Sequence, residues 1–283
     1  MNVDIEHLRS WIGRTETTSD VATLAPLRGL GATLDRDDPP PAAGDAVPPC
    51  WHWLYFLPAQ RQSQIGDDGH PRRGGFLPPV PLPRRMWAGS QLEFIATPRA
   101  GQALQRRSQI EDVRLKDGRT GPLVFLKLRH DILADGAPAI VEFQDIVYRD
   151  MPRAGEPTAP PQAAPQDAAW SREIVPDAVL LFRYSALTFN GHRIHYDRPY
   201  ATGAEAYPGL VVHGPLIATL LLDLLRREQP DARVKRFRFR ALSPLFDTAP
   251  FQVCGRPDAA GSVQLWATNP QGTLAMDASA ELA

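Results

Sequence analysis

Hydrophobic residues follow the same order of patterns in the two halves of the chain. In the first half, apolar residues recur at helical intervals over residues 3–12 and continue in the same manner over residues 15–34. Alternating segments separated by turn residues then predict four strands of an antiparallel meander, at residues 90–96, 103–116, 123–133 and 139–149.

Two long segments of the first half are rich in breakers of regular structure. Residues 35–49 combine prolines with charged side chains, which predicts a surface loop. Residues 67–83 are rich in Gly and Pro, and a loop of this length in a compact domain is usually functional or mobile. Between them, the densely aromatic residues 51–57 are expected to dock against an apolar surface.

The second half repeats this plan after a segment rich in Pro and Ala. Residues 152–166 have no hydrophobic period, which predicts a linker. Helical spacing over residues 213–227 predicts a central helix, and strands are predicted at residues 234–242, 251–256, 262–267 and 272–280. We therefore expect an N-terminal unit (1–150), a linker (151–169) and a C-terminal unit (170–283) in a protein of the α+β class.

Composition excludes several classes of protein. The chain has 283 residues with 31 basic and 32 acidic side chains, so bulk binding of nucleic acid is not indicated. Cys50 and Cys254 are too few for a disulfide framework or a zinc cluster, which favours a reducing compartment. An N-terminal signal and an apolar run long enough to span a bilayer are both missing from the sequence, so we expect a cytoplasmic protein.

The densest polar chemistry lies between residues 184 and 222. Asn190, His192 and His195 fall in one tight turn, and His213 and Gly214 open the predicted central helix. A histidine titrates near neutrality, so His195 is a candidate general base. The alternative for an isolated histidine is a structural bond to a loop carbonyl, and the alternative for Asn190-Gly191 is a plain turn.

This stretch resembles the signature of the MaoC, or R-specific enoyl-thioester hydratase, family of hot-dog proteins. Residues 187–197 keep the register of that motif, with His195 at the family's catalytic histidine and Asn190 where its catalytic aspartate usually stands. His213-Gly214 matches the second segment of the signature. Residues 51–57 and 82–89 are similar to one subgroup, the double-hot-dog hydratases of mesaconyl- and itaconyl-type CoA esters.

The resemblance implies a double hot-dog fold, in which each unit has a central helix wrapped by an antiparallel sheet. It implies a degenerate N-terminal unit that shapes the pocket and binds CoA, and a catalytic C-terminal unit. The implied enzyme is a hydro-lyase (EC 4.2.1 class) that converts itaconyl-CoA or mesaconyl-C4-CoA to (S)-citramalyl-CoA without a metal or cofactor. The expected partner is the CoA thioester, and no binding to nucleic acid or to a membrane is expected. Whether two such chains form a homodimer is left open by the sequence.

Two other functions remain open from the sequence. One is a 3-hydroxyacyl-thioester dehydratase of fatty-acid or polyketide metabolism. The other is a non-catalytic hot-dog protein that binds an acyl thioester and has lost its chemistry together with the aspartate. A thioesterase is less favoured than either.

Asn190 departs from the family in a way that affects the mechanism. A carboxamide can hold a water molecule or a substrate oxygen, but it cannot release a carboxylic proton. One hypothesis is that His195 passes the proton of water to the α-carbon itself while Asn190 holds the water. The other is that Asp197 or His192 takes over the proton.

The remaining candidates concern substrate binding. Gly214 would offer its N–H to the thioester oxygen at the positive end of the central helix, although a plain helix-start glycine explains it equally well. His213 is expected to shape the site, with His192 beside it. The candidates for CoA phosphates or a substrate carboxylate are arginines, each of which could equally belong to a solvated face: Arg84, Arg85, Arg183, Arg193, Arg236, Arg238 and Arg240.

Overall fold

The computed structural model describes residues 3–119, 121–151, 160–258 and 261–283. Within these ranges, ten strands form one continuous antiparallel sheet. The strands, β1 to β10 in chain order, are Thr15–Val21, Arg84–Phe94, Ala103–Gly118, Gly121–Ala134, Ala137–Arg149, Trp170–Ile174, Val234–Ala241, Phe251–Pro257, Ser262–Thr268 and Leu274–Leu282.

Four α-helices accompany the sheet. They are α1 (Ile5–Arg9), α2 (Leu24–Thr33), α3 (Ala178–Leu187) and α4 (Gly214–Glu228). Every residue of α4 from 216 to 225 is buried. Because a helix that is buried on all sides needs apolar neighbours all round, the strands of the second half curve around α4.

The two halves share one sheet. The strand order is β1-β3-β4-β5-β2-β7-β10-β9-β8-β6, so each half contributes five adjacent strands and the halves meet where β2 pairs with β7. Gly89 lies opposite Arg240, and Glu93 lies opposite Arg236. A Cβ at Gly89 would lie 2.4 Å from the backbone oxygen of Phe239, so a glycine allows the strands to approach at this point.

A buried carboxylate also joins the halves. Asp223, on α4, is 3% exposed and accepts hydrogen bonds from Arg36 (2.7 Å), Arg172 (2.9 Å) and Arg227 (2.8 Å). Arg36 follows α2, so the network crosses from the first half to the second. Loss of one partner would leave a buried charge uncompensated, and the network therefore fixes the C-terminal end of α4.

The largest hydrophobic cluster draws on both halves. It includes Leu30 of α2, Trp51 of the aromatic stretch, Leu221 of α4 and Phe237 of β7. Trp51–Leu54 forms a short 3₁₀ turn whose Trp51 and Leu54 are buried, so the predicted docking of this stretch is confirmed.

The strands predicted in both halves and the central helix are confirmed, with boundaries that differ by a few residues. The helical prediction for residues 15–34 is wrong over its first part, because Thr15–Val21 forms β1 and pairs with β3. β1 is an edge strand whose side chains alternate between exposed and half-buried, so it has no apolar face that would mark it as a strand. β6 and α3 were not predicted, although Asp177 caps α3 by accepting the N–H of Leu180 at 2.8 Å.

The predicted linker is described only in part. Residues 152–159 of it lie outside the described residues. Beyond them, Ala163 bridges to Thr273, and the N–H of Leu274 donates to the carbonyl of Gln162 at 2.8 Å. The second part of this segment is therefore bound to the C-terminal sheet.

Across the described part of the chain, none of the helices combines the length and hydrophobicity that a membrane span requires.

The β2–β7 junction predicts a stability effect. Gly89→Ala should lower the free energy of unfolding by about 1–3 kcal/mol, because the added methyl group overpacks against the backbone of Phe239. Gly203→Ala is the matched control, since a Cβ there meets open space. Urea unfolding measures both variants, and a Gly89→Ala protein as stable as the control would show that the strands do not approach so closely.

Candidate active site

A cleft of about 2000 Å³ opens between the two halves and contains most of the predicted site residues. The first half contributes His70, Arg84 and Arg85 to its lining, together with aromatic side chains such as Trp53 and Trp87. The second half contributes Asn190, His192, His195 and Gly214. The turn and the helix start predicted from the sequence therefore line one cleft, together with His70, which the sequence did not single out.

Asn190 shapes the turn that carries the histidines. After α3, Phe189 adopts a positive φ of 48°, and the N–H of Asn190 donates to the carbonyl of Ser185 at 2.8 Å. The side-chain oxygen of Asn190 accepts the backbone N–H of His192 at 3.0 Å. This is the turn role typical of asparagine, and it leaves the carboxamide NH₂ and one lone pair of the oxygen as the groups that Asn190 can offer to a ligand.

His195 has the tautomer that a base requires. Its ring is 8% exposed, and Nδ1 lies 2.7 Å from the carbonyl oxygen of Val211, so Nδ1 carries the proton and Nε2 keeps its lone pair. Burial lowers the pKa of His195 to about 4, although the bond to Val211 acts in the opposite direction. The imidazole is therefore neutral at physiological pH.

His213 lies behind His195 rather than in the lining of the cleft. The two rings stack with centroids 3.7 Å apart, and His213 Nε2 lies 2.8 Å from the hydroxyl of Ser185. His213 Nδ1 is buried without a partner among the described residues, which favours the proton on Nε2 because a bare lone pair costs less than a bare N–H. Burial also lowers the pKa of His213, so His213 holds the His195 ring in place as a neutral group.

Gly214 begins α4 directly at the cleft. Among the described residues, none accepts a hydrogen bond from its N–H, and a Cβ at this position would have a nearest neighbour 3.8 Å away, the backbone oxygen of Trp87. The first amides of a helix have no intrahelical acceptor and lie at the positive end of its dipole. This amide can therefore receive a ligand oxygen that gains negative charge.

His192 continues a row of imidazoles that crosses the cleft. Its ring centroid lies 5.3 Å from that of His195 and 4.0 Å from that of His70. His70 in turn lies 3.0 Å from the carboxylate of Asp68. Burial, followed by the charges of neighbouring groups, lowers the pKa of His192 far below its ordinary value. Asp68 and His70 lie in the Gly-rich loop that the sequence indicated only as functional or mobile.

Asp68, His70 and His192 are also the candidate metal ligands among the described residues. Their ligand atoms lie within 4.8 Å of one another. Two imidazoles and one carboxylate suit several divalent metals, although the hydrogen bond between Asp68 and His70 already satisfies one oxygen and one nitrogen of the set.

A second buried polar network holds the wall of the cleft in the first half. The carboxylate of Glu142 lies 3.1 Å from His52 Nε2 and accepts hydrogen bonds from Trp53 (3.0 Å) and Ser90 (2.9 Å). Burial would raise the pKa of Glu142, but His52 and the other partners outweigh it and hold the pKa at about 2. Ser90 also accepts the indole N–H of Trp87 at 2.9 Å. The network therefore orients both tryptophans of the cleft.

Of the predicted arginines, three line the cleft. Arg84 is buried and bonded to Glu205 (2.8 Å), and Arg193 pairs with Asp197 (2.7 Å). Arg85 is half-buried and has no carboxylate within ion-pair distance among the described residues. Its positive charge is close enough to lower the pKa of both His70 and His192, after the larger effect of burial.

The arginines of β7 do not reach this site. Arg236 pairs with Glu93 and Glu281 on the exposed face of the sheet, and Arg238 bonds Ser279 there. Neither residue lines the cleft, so the solvated-face interpretation fits both better than CoA binding. Arg183 and Asp197 are likewise absent from the cleft lining within the described ranges, which weakens Asp197 as a proton relay.

Comparison with known proteins identifies the family. The profile of the family described as hydroxyacyl-thioester dehydratase type 2 matches residues 50–247. The chain belongs to this family. It is 48% identical to the mesaconyl-C(4)-CoA hydratase of Chloroflexus aurantiacus over 273 residues, a match that covers 96% of this chain and 97% of that protein. As a member of this hydroxyacyl-thioester dehydratase family, the protein is an enzyme of the hydro-lyase type.

Solved structures show the same architecture. The chain superposes on HtdX of Mycobacterium tuberculosis with a TM-score of 0.67 at 19% identity, covering 95% of this chain and 100% of the other. A second protein of that organism, described as having a double hotdog fold, gives a TM-score of 0.59 at 12% identity, with 96% of each chain covered. The predicted double hot-dog fold is confirmed.

The site predicts how the pH profile responds to Asn190. For the wild type, kcat should fall as the pH decreases toward about 4, because protonation of His195 removes the base. Asn190→Asp keeps the acceptor for the His192 N–H but adds a negative charge, which favours the imidazolium and raises the pKa of His195. The acidic limb should therefore move to higher pH, with substantial activity retained.

Asn190→Ala is the companion variant, and it should impair turnover strongly because the turn and the carboxamide NH₂ are both lost. Circular dichroism at each pH separates titration from unfolding. If the Asp variant shows the wild-type profile, or the Ala variant is fully active, Asn190 has no role beyond the turn.

Proposed function

We propose that this enzyme adds water to the CoA ester of an unsaturated C5 dicarboxylic acid, mesaconyl-C4-CoA or itaconyl-CoA, and forms (S)-citramalyl-CoA without a cofactor. The observation that carries the proposal is the pairing, in one cleft, of a neutral buried imidazole with a free Nε2 (His195) and an unbonded helix-start amide (Gly214). The 48% identity to a mesaconyl-C(4)-CoA hydratase supports the choice of acyl group.

The chemistry follows from these two groups. In mesaconyl-C4-CoA, whose C=C bond is conjugated with the thioester, His195 Nε2 takes a proton from water while the water oxygen bonds to the β-carbon. Itaconyl-CoA gives the same product only after a proton shift moves its C=C bond into that conjugated position. The electron pair of the C=C bond moves toward the thioester, whose oxygen gains negative charge and accepts the N–H of Gly214. The proton on His195 then bonds to the α-carbon, and the imidazole returns to its neutral form.

Arg85 is the best candidate for binding the free carboxylate of the substrate. It lines the cleft near the imidazole row, and among the described residues no carboxylate lies within ion-pair distance of it, although its charge acts on Asp68 from further away. Arg84 and Arg193 are already paired with Glu205 and Asp197. A guanidinium can bind a carboxylate through two parallel hydrogen bonds, which gives both affinity and orientation.

A panel of CoA esters tests the function. Loss of the enoyl-thioester absorbance should be fastest with mesaconyl-C4-CoA, and turnover of itaconyl-CoA, whose C=C bond is not conjugated with the thioester, is measured by formation of citramalyl-CoA. His195→Ala should lower kcat roughly 10²-fold or more, whereas His7→Ala, on the exposed face of α1, should leave it unchanged. Faster turnover of long-chain 3-hydroxyacyl or enoyl esters would indicate the dehydratase alternative, which the name of the family supports. If no ester is turned over, the remaining interpretation is a non-catalytic protein that binds an acyl thioester.

Arg85 predicts a separate effect on specificity. Arg85→Gln should raise KM for the dicarboxylyl ester at least about tenfold, since a charge-assisted bidentate contact is lost. KM for crotonyl-CoA, which lacks the free carboxylate, should change little. Arg28→Gln, on the exposed face of α2, is the control. An equal effect on both substrates would assign Arg85 to the CoA portion or to the fold.

A further inference from the structure

Asn190 leaves one requirement of the proposed hydration unmet. A water molecule attacks carbon efficiently when acceptors hold both of its O–H groups, so that an oxygen lone pair faces the β-carbon. His195 Nε2 supplies one acceptor. The oxygen of Asn190 already accepts the backbone N–H of His192 with one of its two lone pairs, and its NH₂ group can only donate. Since an imidazole nitrogen is a stronger acceptor than an amide oxygen that already accepts one bond, we expect the second acceptor from another residue of the cleft.

The Gly-rich loop of the first half is anchored directly on the histidine turn. The carbonyl of Asp68 accepts the N–H of Arg193 at 2.9 Å. Gly69 has a positive φ of 87°, and a Cβ there would lie 1.8 Å from the carbonyl oxygen of Gly191. Such a close approach of two backbones requires glycine. The carbonyl of His70 also accepts the N–H of Gly66 at 2.7 Å, so the loop has a defined conformation against the turn.

The loop carries an imidazole oriented by a carboxylate. Asp68 Oδ2 lies 3.0 Å from His70 Nδ1, and Asp68 Oδ1 accepts the backbone N–H of His70 at 2.9 Å. Because a carboxylate oxygen accepts hydrogen bonds, Nδ1 of His70 carries the proton of this bond, and His70 Nε2 keeps its lone pair.

His70 is part of the cleft lining, whereas Asp68 is absent from that lining and contacts His70 instead. The His70 ring packs on His192 at 4.0 Å, and His192 meets His195 edge-on at 5.3 Å, so His192 contacts both of the other rings. All three histidines line the cleft.

We propose that Asp68 and His70 replace the missing aspartate of the family's motif from the other half of the chain, with His70 holding the attacking water and Asp68 positioning His70. This inference rests on the proposed hydratase function. His70 Nε2 accepts one O–H of the water. The other O–H bond breaks toward His195 Nε2 as the C–O bond forms, and that proton later bonds to the α-carbon. The product hydroxyl stays hydrogen-bonded to His70, so every proton is accounted for.

Kinetics of three variants on the best ester test this assignment. His70→Ala should lower kcat roughly 10²-fold, because a misplaced nucleophile loses its prearranged geometry. Asp68→Asn should lower kcat roughly 10- to 100-fold, as is typical for the loss of a carboxylate that orients an imidazole. The double variant should be no slower than His70→Ala, since Asp68 acts only through His70.

The controls separate chemistry from folding. Asp37→Asn makes the same change outside the cleft, on an exposed carboxylate that forms no side-chain bond within the described residues, and should leave kcat unchanged. Binding of methylsuccinyl-CoA, a saturated analogue, and the Tm should stay near wild type in every variant. A chelator should have no effect on wild-type turnover.

Three results would overturn the inference. They are near-normal kcat of His70→Ala, additive losses in the double variant, and dependence of turnover on a divalent metal, which would make Asp68, His70 and His192 a metal site. A wild-type protein that is inactive on every ester would instead remove the proposed function, and this inference with it.

Discussion

The pairing of β2 with β7 is the constraint on which the active site depends. It joins two five-stranded halves into one sheet, and it brings a loop of the first half against a turn of the second. His70 and His195 are 125 residues apart in the chain, yet both line one cleft. The Asp223 network is a second connection between the two halves, because it links the C-terminal end of α4 to Arg36. The N-terminal end of α4 is thereby presented to the cleft with Gly214 exposed to a ligand.

Burial then sets the chemistry of the side chains that meet there. The imidazoles of His70, His192, His195 and His213 all have lowered pKa values, with burial as the largest cause. Neutral rings have a lone pair that can accept a proton at physiological pH, whereas charged rings have none. The same burial makes each extra proton costly, so in the proposed hydration a proton taken from water returns readily to the α-carbon. The backbone carbonyl of Val211 and the carboxylate of Asp68 fix the tautomers of two of these rings.

The second half of the candidate site could be predicted because its signals are local. The turn at Asn190, the candidate base His195 and the helix start at Gly214 lie in one short stretch, and helical spacing over residues 213–227 predicts α4. The first half gives no such signal. Asp68 and His70 stand in a loop without hydrophobic period, and only strand pairing far along the chain brings them to the turn. β1 was misread because an edge strand of alternating exposed and half-buried polar residues has no apolar face. The alternation correctly predicts that Arg236 and Arg238 lie on one face of a strand. Periodicity does not show, however, which face of the sheet lines the cleft.

The replacement of an aspartate by asparagine also has a physical rationale in a fused double unit. In the first half, the lining of the cleft is occupied by the Glu142 network, which holds Trp53 and Trp87 as wall residues. That half therefore offers no hydratase motif of its own, and its Gly-rich loop is free to serve the other half. A carboxylate at position 190 would add a negative charge to the turn that carries His192 and His195, and this charge would favour their protonated forms. An amide at position 190 keeps the turn without adding that charge. In the proposed mechanism, Asp68 and His70 then act from the loop that is bonded to the histidine turn, where His70 packs on His192.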